Sequence, residues 1–174
     1  MALRVAINGL GRIGRSILKL ILDQRAAEVI AVNDVADLQN LAYLLRFDTV
    51  YGRFPGSVRI DGSQLIVNDF RLHCYKSRDP LQLPWKDLGI DLVFECTGRL
   101  TSRQDLEKHI QAGARFVILS APSGDGEVET VVHGANAPSP STPIISCASC
   151  TTNCITPIVE VIGRRIGIRK AAMT

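Results

Sequence analysis

Three glycines, Gly9, Gly11 and Gly14, fall between a short apolar run and a helical pattern, and no other stretch of this 174-residue chain restricts its fold as tightly. Leu3 to Asn8 is apolar enough for a strand buried on both faces. Ile13, Ile17, Leu20 and Ile21 then recur at helical spacing, and Val29 to Asn33 is a second apolar strand ending at Asp34. Strand, helix and strand in this order make a βαβ unit with a right-handed crossover. Gly9 permits the tight turn, Gly11 the close approach of a pyrophosphate, and Gly14 tight packing of helix on strand, with the anion on the helix N-terminus. Asp34 follows Gly14 by 20 positions, the separation expected of a carboxylate that bonds the adenosine ribose hydroxyls. A carboxylate there repels a 2′-phosphate, so the expected cofactor is NAD rather than NADP. An acid at a strand end can also cap the next turn, and that alternative stays open.

The α/β rhythm continues after an interruption. Asp37 is placed to cap a helix through Leu41, Leu44 and Leu45. Ser57–Ile60, Gln64–Val67 and Arg71–Cys74 are short alternating runs separated by Asp61-Gly62 and Asn68-Asp69, which reads as inserted antiparallel ribbon. Ser77 to Trp85, with Pro80 and Pro84, is a loop. Asp91–Cys96 is a strand closed by Thr97-Gly98, and Thr101 with Gln104 forms a capping box for a helix to about Gly113. Phe116–Leu119, Thr130–His133 and Ile144-Ile145 are the remaining strands. The expected fold is therefore α/β, a Rossmann-type doubly wound parallel sheet carrying an antiparallel insertion.

Charge and composition exclude several classes. A net charge of +3, with basic residues interspersed among acids, does not suit a nucleic-acid partner. No run approaches the ~18 apolar residues of a membrane span. Met1 to Ile7 lacks the layout of a signal peptide. Five cysteines, an odd number without an export signal, point to reduced thiols and a cytoplasmic location.

Three of those cysteines cluster near the end. Cys150 follows the apolar run Pro143–Ser146 and precedes a helical pattern of Ile155, Ile158, Val159 and Ile162. On the first turn of a helix, unpaired amides and the macrodipole favour a thiolate, which is the nucleophilic form. Beside a dinucleotide, such a Cys suggests covalent capture of a carbonyl next to a hydride acceptor. Cys147 and Cys150 form a C-x-x-C, so a redox dithiol remains an alternative. A zinc site lacks a fourth ligand nearby, and no metal is expected.

Asn8–Arg15, Ala31–Asp34, Glu95–Gly98 and Ser149–Cys154 together closely resemble glyceraldehyde-3-phosphate dehydrogenase, in order and at matching spacing along the whole chain. The resemblance implies an NAD-binding domain over residues 1–149, then the first helix and an incomplete strand of a catalytic domain over 150–174. It implies that Cys150 attacks the aldehyde of glyceraldehyde 3-phosphate and that the resulting thioester is cleaved by inorganic phosphate to an acyl phosphate. Ser149 and Thr151 match the positions that bond the attacking phosphate, and simple capping is their other reading. The amide of Cys150 would help hold the developing oxyanion. On the cofactor side the resemblance assigns Asn8, Gly9, Gly11, Arg12, Ile13, Gly14, Asp34, Arg78, Thr97, Gly98 and Ser120. It also implies a homotetramer for the full-length protein.

Cys154 matches the family's second Cys and reads as a buried small hydrophobe. His73 and His133 fall in strand-like runs and His109 on the surface of a helix, all three in structural roles. The chain departs from the family pattern at Cys147, where Asn is usual, and at Leu100, where an aromatic is usual. The family's general-base His would follow the last residue, and residues 166–174 read as a strand that stops abruptly. The chain is expected to be a piece of a longer protein, with negligible oxidation of glyceraldehyde 3-phosphate by itself. Erythrose-4-phosphate dehydrogenase and a stand-alone nucleotide-binding module are the competing readings. Asp34 and Ser120-Ala121-Pro122 favour the glyceraldehyde enzyme over the former, and the intact Cys150 constellation weighs against the latter.

Overall fold

The structure is a computed structural model that describes residues 2–172. The apolar run becomes β1 (Arg4–Asn8), and the glycine turn leads into α1 (Arg12–Gln24). β2 (Glu28–Asn33) completes the βαβ unit and lies parallel to β1. α2 (Leu38–Arg46) is capped as expected by Asp37, whose side chain accepts from the amides of Gln39 and Asn40. A small hairpin, β3 (Phe47–Asp48) with β4 (Gly52–Arg53), stands apart from the main sheet.

The inserted ribbon is β5 (Val58–Asp61), β6 (Gln64–Val67) and β7 (Phe70–Tyr75), paired antiparallel in sequence. β7 then joins β2 in parallel, which extends the main sheet. The rest comprises β8 (Leu92–Glu95), α3 (Arg103–Gln111), β9 (Phe116–Leu119), β10 (Glu129–Thr130), β11 (Ile144–Ser146) and α4 (Cys150–Arg165). Nine strands form one sheet in the order β10-β11-β9-β8-β1-β2-β7-β6-β5. It is parallel except at β6, so the expected Rossmann-type fold with an antiparallel insertion is the fold observed.

Alternation along β1 divides the interior in two. Val5 and Ile7 face a core with Leu18, Ile21 and Leu22 of α1 and Leu41 and Leu45 of α2. Ala6 faces the opposite core, with Val93, Val117, Leu106 of α3 and the fully buried Trp85. Both faces of the central strands are covered, as a parallel sheet requires.

Several local expectations are corrected. α3 starts one residue later than the proposed capping box. Ser102, not Thr101, is the N-cap, accepting from the amide of Asp105 and donating to its carboxylate at 2.8 Å. An acid in the first turn suits the positive end of the helix better than the neutral Gln104. The strand expected at Thr130–His133 shrinks to Glu129–Thr130, because β11, its neighbour, offers only three residues to pair with. Residues 166–172 form no strand: none of the described elements lies alongside to accept their ladder bonds, and Met173 lies outside the described residues. α4 has no buried residue at all, so Cys154 is exposed rather than packed, as are Ile158, Val159 and Ile162. Among the described residues no helix is long and apolar enough to cross a membrane.

Candidate functional site

At one edge of the sheet the strand ends stay in register for one residue more. Gly9 N donates to Asn33 O at 2.7 Å, Cys96 N to Asn8 O at 2.7 Å, Ser120 N to Glu95 O at 3.0 Å and Cys147 N to Leu119 O at 2.9 Å. β1 pairs with β2 on one side and β8 on the other, so the winding of the sheet reverses there. Open α/β sheets bind ligands at the carboxyl ends of the strands beside that reversal.

A cleft of about 370 Å³ opens at this point. It brings together Asn8, Gly9, Gly11, Asp34, Arg78 and Thr97 of the expected cofactor residues. Asn33, Val35, Ser77, Cys96, Arg99 and Leu100 also line it. Arg12 and Ile13 are exposed on the first turn of α1 and Gly14 is buried under it, outside the lining. Gly98 and Ser120 are likewise outside, although Ser120 continues β9 at the same sheet edge. An apolar cavity of about 310 Å³ at the amino ends of β1, β8, β9 and β11 has no ionisable side chain in its lining and no part in this site.

The glycine loop leaves room for a ligand. Gly9 has φ 93°, and a Cβ there would stand 2.6 Å from the amide nitrogen of Thr97. A Cβ on Gly11, by contrast, would meet nothing within 4 Å. That free space lies at the N-cap of α1, which no side chain caps, so an anion fits it. Asp34 does two things at once. Its carboxylate accepts from the amides of Leu10 at 2.7 Å and Ala36 at 2.9 Å, tying the loop to the end of β2. A carboxylate offers about four acceptor positions, so lone pairs remain for a ribose diol. Arg78, after β7 on the Asp34 side, and Arg99, after β8 on the other, add positive charge to the lining.

Sequence reasoning missed the residues beneath the floor. His109 is not on a helix surface: it is fully buried, stacked on Trp85 and hydrogen-bonded to the equally buried Glu95. Its place at i+3 from Leu106, on the apolar stripe of a short helix, was the available signal.

Cys150 is the first residue of α4 and is exposed. The chain enters α4 through Ala148, whose φ of 61° is left-handed and unusual for a residue with a Cβ. Three side-chain contacts fix this turn. Ser146 Oγ donates to Ala121 O at 2.6 Å and accepts from Ala148 N at 3.0 Å, while Asn153 Nδ2 donates to Cys147 O at 2.6 Å. Ser149 caps the helix, accepting from Thr152 N at 3.0 Å, and Thr151 Oγ1 lies 4.0 Å from Cys150 Sγ. Cys150, Ser149 and Thr151 do not line the cleft. β11 is two strands from β8, which sets the start of α4 roughly 10 Å along the same edge. Cys96 is different in kind: burial pushes its thiol up to about 11, partly offset by a bond from Ser120. Burial likewise raises the Cys147 thiol. All five cysteines are free.

Residues 3–103 match the sequence profile of the NAD binding domain of glyceraldehyde 3-phosphate dehydrogenase. The chain belongs to the glyceraldehyde-3-phosphate dehydrogenase family. It is 47% identical over 176 residues to the glyceraldehyde-3-phosphate dehydrogenase of Chlamydia pneumoniae, covering 99% of this chain and 52% of that protein. The Thermotoga maritima enzyme is 47% identical over 175 residues, and that of Geobacillus stearothermophilus 43% over 177, again 52% of each relative. The chain thus spans about half the length of the curated glyceraldehyde-3-phosphate dehydrogenases it matches. NAD is the cofactor of this family's domain, and the cleft at the β1–β8 reversal has the open glycine turn and acid that it requires.

Proposed function

We propose that this chain is the cofactor-binding part, with the nucleophile, of an NAD-dependent phosphorylating glyceraldehyde-3-phosphate dehydrogenase. The observation that carries the reading is the exposed Cys150 at the first turn of α4, on the same sheet edge as the glycine cleft. Its sulfur adds to the aldehyde carbon of glyceraldehyde 3-phosphate, and the amide of Cys150 itself and the start of α4 stabilise the oxyanion. NAD held in the cleft would supply a hydride acceptor for this carbon, and Cys150 would then carry the acyl group as a thioester. An oxygen of inorganic phosphate then attacks the thioester carbon, the acyl phosphate departs and the sulfur is freed as thiolate. Ser149 and Thr151 orient that phosphate. Asn8, Gly9, Gly11, Arg12, Ile13 and Gly14 hold the pyrophosphate side, Asp34 and Arg78 the adenosine side, and Thr97, Gly98 and Ser120 the nicotinamide ribose.

The division into residues 1–149 and 150–174 belongs to the same proposal, and the absence of any buried residue in α4 supports it. So do a homotetramer and a cytoplasmic location for the full-length protein, by the resemblance set out above. The acid–base partner of Cys150 is not among the described residues that bond it: only Thr151 Oγ1 does, at 4.0 Å. Little NADH is therefore expected from the 174-residue chain with glyceraldehyde 3-phosphate and phosphate.

Titration calorimetry tests the reading. The chain should bind NAD and ADP-ribose with similar affinity and NADP more weakly, and Asp34→Ala should abolish the preference for NAD over NADP. No binding of NAD or ADP-ribose would overturn it.

A further inference from the structure

A line of buried hydrogen bonds runs from the second core up to the floor of the cleft. Trp85 Nε1 donates to His109 Nδ1 at 3.0 Å. An indole N–H can only donate, so Nδ1 is bare and the imidazole proton sits on Nε2, 3.1 Å from Glu95 Oε2. Glu95 Oε2 also accepts from Asn8 Nδ2 at 2.5 Å, while Oε1 accepts from the amide and the hydroxyl of Thr97. Oε2 thus acts as the acceptor toward both His109 and Asn8. The 3.4 Å approach of Asn8 Nδ2 to His109 Nε2 is then two donors converging on one acceptor, not a bond between them.

An acceptor-only group dictates every amide beyond it. Because Asn8 must turn Nδ2 toward Glu95, its Oδ1 faces Asn33 and accepts from Asn33 Nδ2 at 2.6 Å. Asn33 Oδ1 therefore faces outward and accepts from Ser77 N at 2.9 Å, and its Nδ2 reaches Ser77 O at 2.9 Å. One side chain thus clamps both backbone groups of a residue 44 positions away, in the loop that carries Arg78. Asn8, Asn33, Ser77, Arg78 and Thr97 all line the cleft. Of the four donors to Glu95, three belong to the cleft-lining Asn8 and Thr97, and only His109 lies in the core.

We propose that Glu95 and His109 are positioning residues for the dinucleotide, acting through Asn8 and Asn33 to hold the Ser77–Arg78 loop over the adenosine half of the cleft. This rests on the cleft being the NAD site. Glu95→Gln brings an amide donor among four donors, so one bond must be lost whichever way the amide turns, and the orientation of Asn8 is no longer dictated.

A double-mutant cycle with ADP-ribose as the titrated ligand tests this on the 174-residue chain, with circular dichroism confirming each variant's fold. Glu95→Gln and Asn33→Ala should each weaken ADP-ribose binding by about tenfold, the scale of a lost charge-assisted hydrogen bond. The double variant should bind within about twofold of the weaker single one, since both act along one path. An unchanged affinity in Glu95→Gln, or losses that multiply to about a hundredfold in the double variant, would overturn the proposal while leaving the cofactor reading intact. Failure of the wild type to bind ADP-ribose would remove the cofactor reading and the proposal together. Should Glu95→Gln not fold, the same cycle is run with Glu95→Asp, which keeps the charge and draws the acceptor back from Asn8. The same pattern is expected there, and unchanged affinity overturns the proposal.

Discussion

Gly14 rests directly on Gly9: a Cβ added to Gly14 would lie 2.0 Å from the Gly9 carbonyl oxygen. No rotamer relieves a contact between a Cβ and backbone, so α1 would have to move off β1. Gly14→Ala is expected to destabilise the chain by at least about 1–3 kcal/mol, read from the urea midpoint. Gly11→Ala makes the contrasting case. Its Cβ enters free space, so the stability loss should stay under about 1 kcal/mol, an N-cap effect. NAD binding should nevertheless fall at least tenfold if that space takes the pyrophosphate, as proposed above. Equal stability losses in the two variants would contradict this.

Ser146 anchors the turn that presents Cys150. Its hydroxyl is the buried partner of two backbone groups, Ala121 O and Ala148 N. Ser146→Ala leaves both unpaired and should cost about 1–3 kcal/mol in chemical denaturation at unchanged m-value. A loss under about 0.5 kcal/mol would mean that the left-handed Ala148 holds without it.

The cysteines should separate by access to an alkylating reagent. Cys150 and Cys154 are exposed, whereas burial pushes the thiols of Cys74 and Cys96 up to about 11. Brief iodoacetamide treatment of the native chain at pH 8, followed by peptide mass mapping, should label Cys150 and Cys154 and spare Cys74 and Cys96. Labelling of Cys96 as fast as Cys150 would refute the placement of β8's end.

Asp125 gives an acid limb to stability. The Ser123 hydroxyl, then the amides of Glu127 and Arg103, hold its carboxyl at about 2, below the usual 3.8. A depressed folded value means stability fully present above the unfolded value, near 4, and lost as pH falls through about 2. The melting temperature of Asp125→Asn should therefore lie below that of the wild type at pH 6, with the gap narrowing between pH 4 and 2. A gap constant over that range would rule out the carboxylate as its source.

Elements ruled by short-range periodicity were legible in the sequence: β1, α1 and β2 around the glycines, the Asp37 cap, and the ribbon set off by Asp61-Gly62 and Asn68-Asp69. The tight glycine turn into α1 and the place of Asp34 at the end of β2 were legible too. His109 was not, because its meaning lies in Trp85 and Glu95, 24 and 14 residues away, and only the sheet brings them together. Ser102 was hidden differently: Thr101 and Gln104 match the same motif one register earlier, and the charge of Asp105 decides between them. Periodicity also overstated α4. Its apolar spacing predicts a covered face, but that face has no partner among the described residues.

That bare helix has a consequence for Cys150, the proposed nucleophile at its start. Sixteen residues are scarcely enough for a helix to persist in water without support, and Pro157 in its interior removes one internal bond. Cys150 is thus the first residue of a helix that buries nothing, whereas the glycine cleft is built on buried strands. Amide protons should exchange slowly along β1 and β8 and orders of magnitude faster from Ile155 onward, so α4 loosens just past the anchored turn that carries Cys150.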